Sequence, residues 1–271
     1  MLMLTFDVSQ LRGLILDMDG VIWKKYQPLG DLRAIFKRIA DHGWDVLLAT
    51  NNSTQTPEHY GELLAKFGVV LSPWQIINSS QAAAQHLSET HPQGGAVHII
   101  GEDGLRQALA KTGFHDANNN AEDILAVVVG LDLTVNYQKI HHAAKLIRAG
   151  VPFIATNPDK TFPTPQGLAP GAGTIIAALE AASGMKAKVI GKPQSDMYQI
   201  ALKRMGISPE ETLVIGDRLE TDIAGAQNAG CHSALVLSGV TTLEEAQTWR
   251  PVPNIIAQNL SKVLDALEAG E

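Results

Sequence analysis

The sequence predicts an α/β fold built on parallel sheet, and three observations carry that expectation. Short runs of Val, Ile and Leu recur along the chain, segments of helical periodicity separate them, and several of those segments stop at a glycine. Apolar runs bounded in this way read as strands buried on both faces, as in parallel sheet covered by helices on each side. In chain order the runs are LILD (14–17), DVLLAT (45–50), AVHII (96–100), LAVVVG (125–130), VPFIAT (151–156), AKVIG (187–191), TLVIGD (212–217) and SALVL (233–237). Helices are expected between them, among others at 31–42, 57–67, 137–149, 194–205 and 221–229. Their glycine stops are Gly43, Gly68, Gly150, Gly206 and Gly230.

The 271 residues, 45% hydrophobic and 18% charged, allow one large domain or two modest ones. An internal echo bears on the count. IFKRIADHGWDVLLATNNS (35–53) and IHHAAKLIRAGVPFIATNPDK (140–160) each run helix, glycine stop, short strand and then Ala-Thr-Asn. Any two helix-to-strand units of an α/β protein look alike; the alternative is a second α/β domain in the middle of the chain. Pro, Gly and Asn gather around that segment, at 91–95, 157–173 and 182–184.

Bulk properties exclude several function classes. A formal net charge of -7 argues against a nucleic-acid surface and gives no help toward an anionic membrane. The single cysteine, Cys231, forbids an intrachain disulfide and fits a reducing compartment. The opening MLMLTFDVSQLRG lacks the basic start of a signal peptide, and no apolar run approaches membrane-spanning length. A cytoplasmic protein is expected.

Ligands of open α/β sheets bind at the carboxyl ends of the strands. Four of the predicted strand ends carry polar residues where the apolar run stops: Asp17 and Asp19; Thr50, Asn51, Asn52 and Ser53; Lys192; and Asp217, followed by Arg218 and Asp222. Each has an ordinary explanation when taken alone. Asp-x-Asp-Gly also opens calcium loops, but residues 21–28 read VIWKKYQP and lack the later acidic ligands. Ser53 or Thr54 suits a helix cap, Lys192 a solvated loop, and Asp222 a first-turn helix acid. Their order and common placement favour a site.

Four aspartates crowded at one sheet edge would raise one another's pKa values. A divalent cation that prefers oxygen removes that penalty, and Mg²⁺ suits a few carboxylates completed by phosphate and water. Lys192, the Thr50 hydroxyl and backbone N–H groups around Gly20 and Asn51 then suit the remaining phosphate oxygens. A carboxylate is a competent nucleophile toward phosphorus, and a second one two residues on suits proton transfer.

LILDMDGV, LLATNNS, VIGKP and VIGDRLETDI resemble, in order, the four signature motifs of the haloacid dehalogenase-like (HAD) hydrolase superfamily. The segments GVIWKKYQPL, FIATNPD, LAPGAGTIIAALEAASG and GDRLETDIAGAQNAGCHSALVLSGVTT extend the likeness to its subfamily IIA of NagD-type and para-nitrophenyl phosphatases. The resemblance implies a Rossmann-like parallel-sheet core, residues 1–79 and 184–271, with a smaller α/β cap domain inserted at 80–183. It implies a Mg²⁺-dependent phosphatase of small phosphorylated metabolites, working through a phospho-aspartate. Asp17 would be nucleophile and metal ligand, and Asp19 acid/base with its backbone carbonyl on the metal. Thr50 and Asn51, with Asn52 beside them, would bind the phosphoryl group. Lys192 would stabilise its charge, Asp217 would ligate Mg²⁺, and Asp222 would support the metal. A homodimer held through the caps also belongs to the family pattern.

Family dehalogenases lack the second aspartate, so Asp19 argues against that activity. Phosphomutases of the superfamily usually carry another cap elsewhere. Receiver-type phosphoacceptors combine similar residues but place the acceptor on a later strand and are about half this length. In the insert, Asp132, Asn157 and Asp159 fall at expected strand ends and suit either substrate contacts or turn capping. His98, His141 and His142 lack metal-ligand spacing and read as structural; Trp23, Trp44 and Trp74 read as packing residues, with Trp23 near the first motif.

Overall fold

The computed structural model describes residues 6–117, 123–164 and 167–270; the MLMLT start of the chain lies outside them. The chain divides into two compact units. The first comprises Met1–Thr50, Pro57–Ile77 and Lys192–Glu271, and the second Asn51–Thr56 and Asn78–Gly191.

The first unit opens with β1 (Gly13–Leu16), all four residues buried. Leu14 and Leu16 join one apolar cluster while Ile15 between them is equally buried, so both faces are covered. A hairpin of β2 (Trp23–Lys24) and β3 (Gln27–Pro28) follows. Asp31 then caps α1 (Leu32–Asp41) by accepting the Ala34 N–H, and Gly43 ends it at φ 72°. β4 (Asp45–Thr50), α2 (Pro57–Ala65) and β5 (Ile76–Asn78) complete the first half.

The second unit holds α3 (Ser79–Thr90), β6 (Gly95–Ile100), α4 (Asp103–Lys111), β7 (Phe114–Asp116), β8 (Val127–Val129), α5 (Tyr137–Arg148) and β9 (Phe153–Ala155). A hairpin of β10 (Thr161–Thr164) and β11 (Gly167–Pro170), then α6 (Ala172–Ser183) and β12 (Lys188–Val189), finish it. Its sheet runs β12-β9-β8-β6-β7 with parallel pairs. Val127, Val129, Phe153 and Ala155 pack against Ala143, Ile147, Ile176 and Leu179.

The chain returns to the first unit with α7 (Asp196–Met205), β13 (Thr212–Gly216), a π-turn at Leu219–Ile223 leading into α8 (Ala224–Asn228), β14 (His232–Val236), α9 (Leu243–Thr248), β15 (Ile255–Ala257) and α10 (Leu260–Glu268). The sheet order is β15-β14-β13-β1-β4-β5, with β1 parallel to both β13 and β4. Among the described residues no helix is long and apolar enough to cross a membrane.

The structure differs from the expectations at four points. The units change over at Ile77/Asn78 and Gly191/Lys192 rather than after 79 and 183. β12 pairs with β9, and the Gly191 N–H continues that ladder to the Thr156 carbonyl at 2.8 Å, so AKVIG belongs to the second sheet. Residues 51–56 also belong there: Ser79 Oγ donates to the Asn51 carbonyl at 2.7 Å, Ser80 Oγ to Ser53 O at 2.9 Å, and the Gly104 N–H to Thr54 O at 3.0 Å. Trp74 is 48% exposed instead of packed, whereas Trp23 and Trp44 are buried.

Candidate active site

Sheet order places the site. β1 lies between β13 and β4, so the residues that follow these strands sit side by side at the carboxyl edge. The Asp17 N–H extends the ladder to the Ile215 carbonyl at 2.8 Å. Asp217 follows Gly216 at the end of β13, and buried Thr50 ends β4.

Beyond Asp17 the chain turns around one acceptor. The Met18 carbonyl receives the N–H groups of Val21, Ile22 and Trp23 at 3.4, 2.9 and 3.2 Å. Gly20 adopts φ 91°, and a Cβ there would stand 2.5 Å from Asp217 Oδ2. Gly239 approaches Asp217 from the β14 side more closely still, and the adjacent Val240 N–H donates to Asp217 Oδ2 at 3.0 Å. Ser238 Oγ donates to the Gly20 carbonyl at 2.6 Å, tying the two loops together.

Side-chain oxygens of Asp17, Asp217 and Asp222 lie within 4.8 Å of one another. Lys192 sits among them, 2% exposed. Its ammonium donates to Asp17 Oδ1, to Asp222 Oδ1 at 2.6 Å and to the Ala49 carbonyl at 3.1 Å. Asp222 Oδ2 accepts the Arg218 N–H at 3.1 Å, so both its oxygens are engaged by protein donors. Tyr198, on α7, donates to the Asp222 carbonyl at 3.3 Å.

The electrostatics follow from three carboxylates sharing one buried ammonium. Burial pushes the Asp17 carboxyl well above the usual range, and the charges of Asp222 and Asp217 push the same way against Lys192. Burial, then Asp222, raises Asp217 to about 7. Burial disfavours the Lys192 charge, but Asp17 and Asp222 outweigh it and hold the ammonium protonated. Asp19 lies outside this cluster with its side chain exposed, although enough protein surrounds the carboxyl that desolvation raises its pKa.

The first unit therefore brings together Asp17, Asp19, Thr50, Lys192, Asp217 and Asp222, and two cavities of that unit, of about 410 and 460 Å³, are lined by none of them. Asn51 and Asn52 belong to the second unit. The Asn51 carbonyl accepts from Asn157 Nδ2 at 2.8 Å, so the two Ala-Thr-Asn ends of the internal echo meet there. Asn52 Oδ1 accepts the Thr54 N–H and hydroxyl at 2.9 and 2.7 Å, a turn role. Asp132 is buried under Lys139 Nζ at 2.7 Å and the Thr134 N–H at 2.8 Å, and Asn157 Oδ1 accepts the Asp159 N–H at 3.1 Å. Both cap turns. His98 and His142 pack edge to face inside the second unit with ring centroids 4.7 Å apart. Sequence reading missed Ser238, Gly239 and Val240. The signal was present, since SGV follows the apolar run SALVL as a fifth polar strand end.

Known proteins share this fold. Residues 14–115 match the haloacid dehalogenase-like hydrolase family model and residues 189–263 a HAD-hydrolase-like model. The 5'-nucleotidase YutF of Bacillus subtilis (strain 168) is 34% identical over 86% of this chain and 90% of its own. The solved NagD from E. coli K-12 superposes with a TM-score of 0.85 at 30% identity, covering 93% of this chain and 98% of the other. The glycerol phosphate phosphatase from Mycobacterium tuberculosis, solved in complex with magnesium, superposes with a TM-score of 0.88 at 32% identity, covering 96% and 78%. With a buried lysine bridging the aspartate that follows β1 to Asp222 of the turn after β13, the chain belongs to the haloacid dehalogenase-like hydrolases, within their NagD-like phosphatases.

Proposed function

We propose that this protein hydrolyses small phosphate monoesters through a covalent phosphoryl-Asp17 intermediate. The observation that carries the reading is Lys192 bound to both Asp17 and Asp222 beside Asp217, at adjacent strand ends. Lys192 holds one Asp17 oxygen and leaves the other to attack phosphorus. As the P–O bond to the leaving group breaks, Asp19 gives that oxygen a proton. It then takes a proton from water, whose oxygen attacks the phosphorus and releases Asp17 and inorganic phosphate. Thr50, at the β4 end, and the Lys192 ammonium meet the charge on the phosphoryl oxygens. Asn51 and Asn52 are assigned to the same group on the family pattern. The second unit is assigned the cap's role of selecting the leaving group, for which nucleotides and glycerol phosphate are the classes named for relatives. A homodimer and a cytoplasmic location complete the proposal. The sole cysteine, Cys231, supports the latter as a buried thiol whose pKa burial raises to about 12.

The donor set suits Mg²⁺: oxygen ligands only, in excess negative charge, with Asp222 already committed to Lys192 and Arg218. Asp17, Asp217 and the Asp19 carbonyl would hold the ion, and Asp222 would support it from behind. When bound, it supplies charge neutralisation for the phosphoryl group.

Acid-quenching a reaction with a phosphate monoester, followed by peptide mass analysis, is expected to find one phosphoryl group on Asp17. Turnover with the phosphoryl group on another residue would overturn the mechanism, and a stable adduct without turnover would make the protein a phosphoacceptor instead.

Metal and pH are linked through Asp217. Its folded pKa of about 7 exceeds the ordinary carboxylate value, so its contribution to stability is complete only below about pH 4 and disappears as pH rises through 7. In EDTA the protein is expected to lose stability over that window, by up to about 1.4 kcal/mol per pH unit for one proton. Mg²⁺ should reverse the loss, so its effect on Tm should be larger at pH 8 than at pH 5. An equal shift at both values would contradict the assignment of Asp217 as ligand.

A further inference from the structure

We propose that Trp23 is the positioning residue for Asp19, its indole N–H holding the carboxyl in line with the leaving-group oxygen during proton transfer. The inference rests on the acid/base role proposed for Asp19 and adds the group that orients it.

Backbone geometry sets the two residues together. Asp19 and Trp23 form an isolated β-bridge, and the Gly20 N–H between them donates to the Trp23 carbonyl at 2.7 Å. The bridge is of the parallel kind and holds the two backbones side by side. The indole is wholly buried, yet its Nε1–H meets no partner among the described residues. Leaving such a donor unsatisfied is costly, and buried donors are almost always paired. An ordinary core position would be filled at lower cost by Phe or Leu.

Neighbouring rings fix the indole plane. Tyr60 of α2 stacks on it with centroids 6.2 Å apart at 28°, and Tyr26 of the hairpin leans against it at 5.6 Å and 55°. Among the described residues no side chain donates a hydrogen bond to the Asp19 carboxylate. Catalytic hydrogen bonds are often long or poorly aligned before substrate binds and tighten in the complex. A donor adjacent to the general acid and lacking any other partner fits that description.

The readout is leaving-group dependence. An alkyl phosphate expels a poor leaving group that needs the proton, whereas para-nitrophenyl phosphate expels a stable phenolate that needs it little. Trp23→Phe keeps an aromatic ring and removes the N–H. It is expected to lower kcat/KM for glycerol phosphate about tenfold to a hundredfold more than for para-nitrophenyl phosphate, part of the roughly 10²–10⁴ a general acid contributes. Replacing the indole with benzothiophene, which preserves shape and removes only the N–H, should reproduce that selective loss even if the Phe variant folds poorly. Equal losses on both esters, or none, with the benzothiophene protein folded would reduce Trp23 to a packing residue and overturn the proposal. Absence of phosphate release by the unaltered protein from either ester would instead overturn the phosphatase reading beneath it.

Discussion

Replacing Asp17 with asparagine is expected to cut phosphate release by roughly 10⁴- to 10⁶-fold, the scale seen when an essential nucleophile is removed, while leaving the folded protein as stable as before or more so. The two effects come from one structural fact. The asparagine side chain would retain an oxygen to accept from Lys192, so the bridge to Asp222 and the Ala49 carbonyl survives. An amide does not attack phosphorus, so the covalent step is lost. Stability moves the other way because Asp17, Asp217 and Asp222 share a single buried ammonium, and burial already drives the Asp17 carboxyl well above its usual range. Removing one of three crowded charges relieves repulsion. A gain of about 1 kcal/mol would raise Tm by some 2–4 °C in a chain of this size. Calorimetry in EDTA beside a phosphate-release assay reads both effects. Retention of more than a hundredth of the activity would refute the covalent route, and a large fall in Tm would mean that Asp17 holds the fold together.

Much of this site was legible because its residues occupy the ends of strands whose apolar runs are unmistakable. DVLLAT is β4 from its first residue to its last, and each of the five glycine stops adopts a positive φ, from 67° to 94°. Burial is written in composition, but pairing is not. AKVIG reads the same whichever sheet it joins, and only its contact with β9 places it in the second unit. The segment 51–56 has the same character, since its partners Ser79, Gly104 and Asn157 lie tens of residues away. Gly239 escaped notice for the same reason. SGV after SALVL marks a strand end, but that Gly239 leaves room for the carboxylate of Asp217, far back along the chain, is a close approach that the local pattern does not state. β5, β7 and β15 have three residues each, as β8 and β9 do, but lack the longer apolar runs LAVVVG and VPFIAT that mark those two.

Lys192→Met is expected to be the most damaging change to both fold and function. Methionine fills the stem of the lysine but offers no donor, so Asp17, Asp222 and the Ala49 carbonyl lose their common partner in a buried position. Removing one member of a buried ion pair typically costs about 3–5 kcal/mol because the remaining charge is uncompensated. Here two carboxylates are abandoned and Asp217 stands beside them, so the loss in EDTA should reach that range. Mg²⁺ should recover part of the stability. It should not recover the rate, because the cation proposed to orient Asp17 and to meet the transferring phosphoryl group is gone, a loss of roughly 10²–10³ in kcat by comparison with other preorganised donors. Adding Asp222→Asn to Lys192→Met separates the two roles. The double variant removes one stranded charge and should regain stability, since contacting residues couple strongly, yet it should remain as slow as the single variant. Rate recovery in the double variant would show that Lys192 serves only to neutralise Asp222. Retention of kcat within tenfold by Lys192→Met alone would remove the lysine from the chemistry altogether.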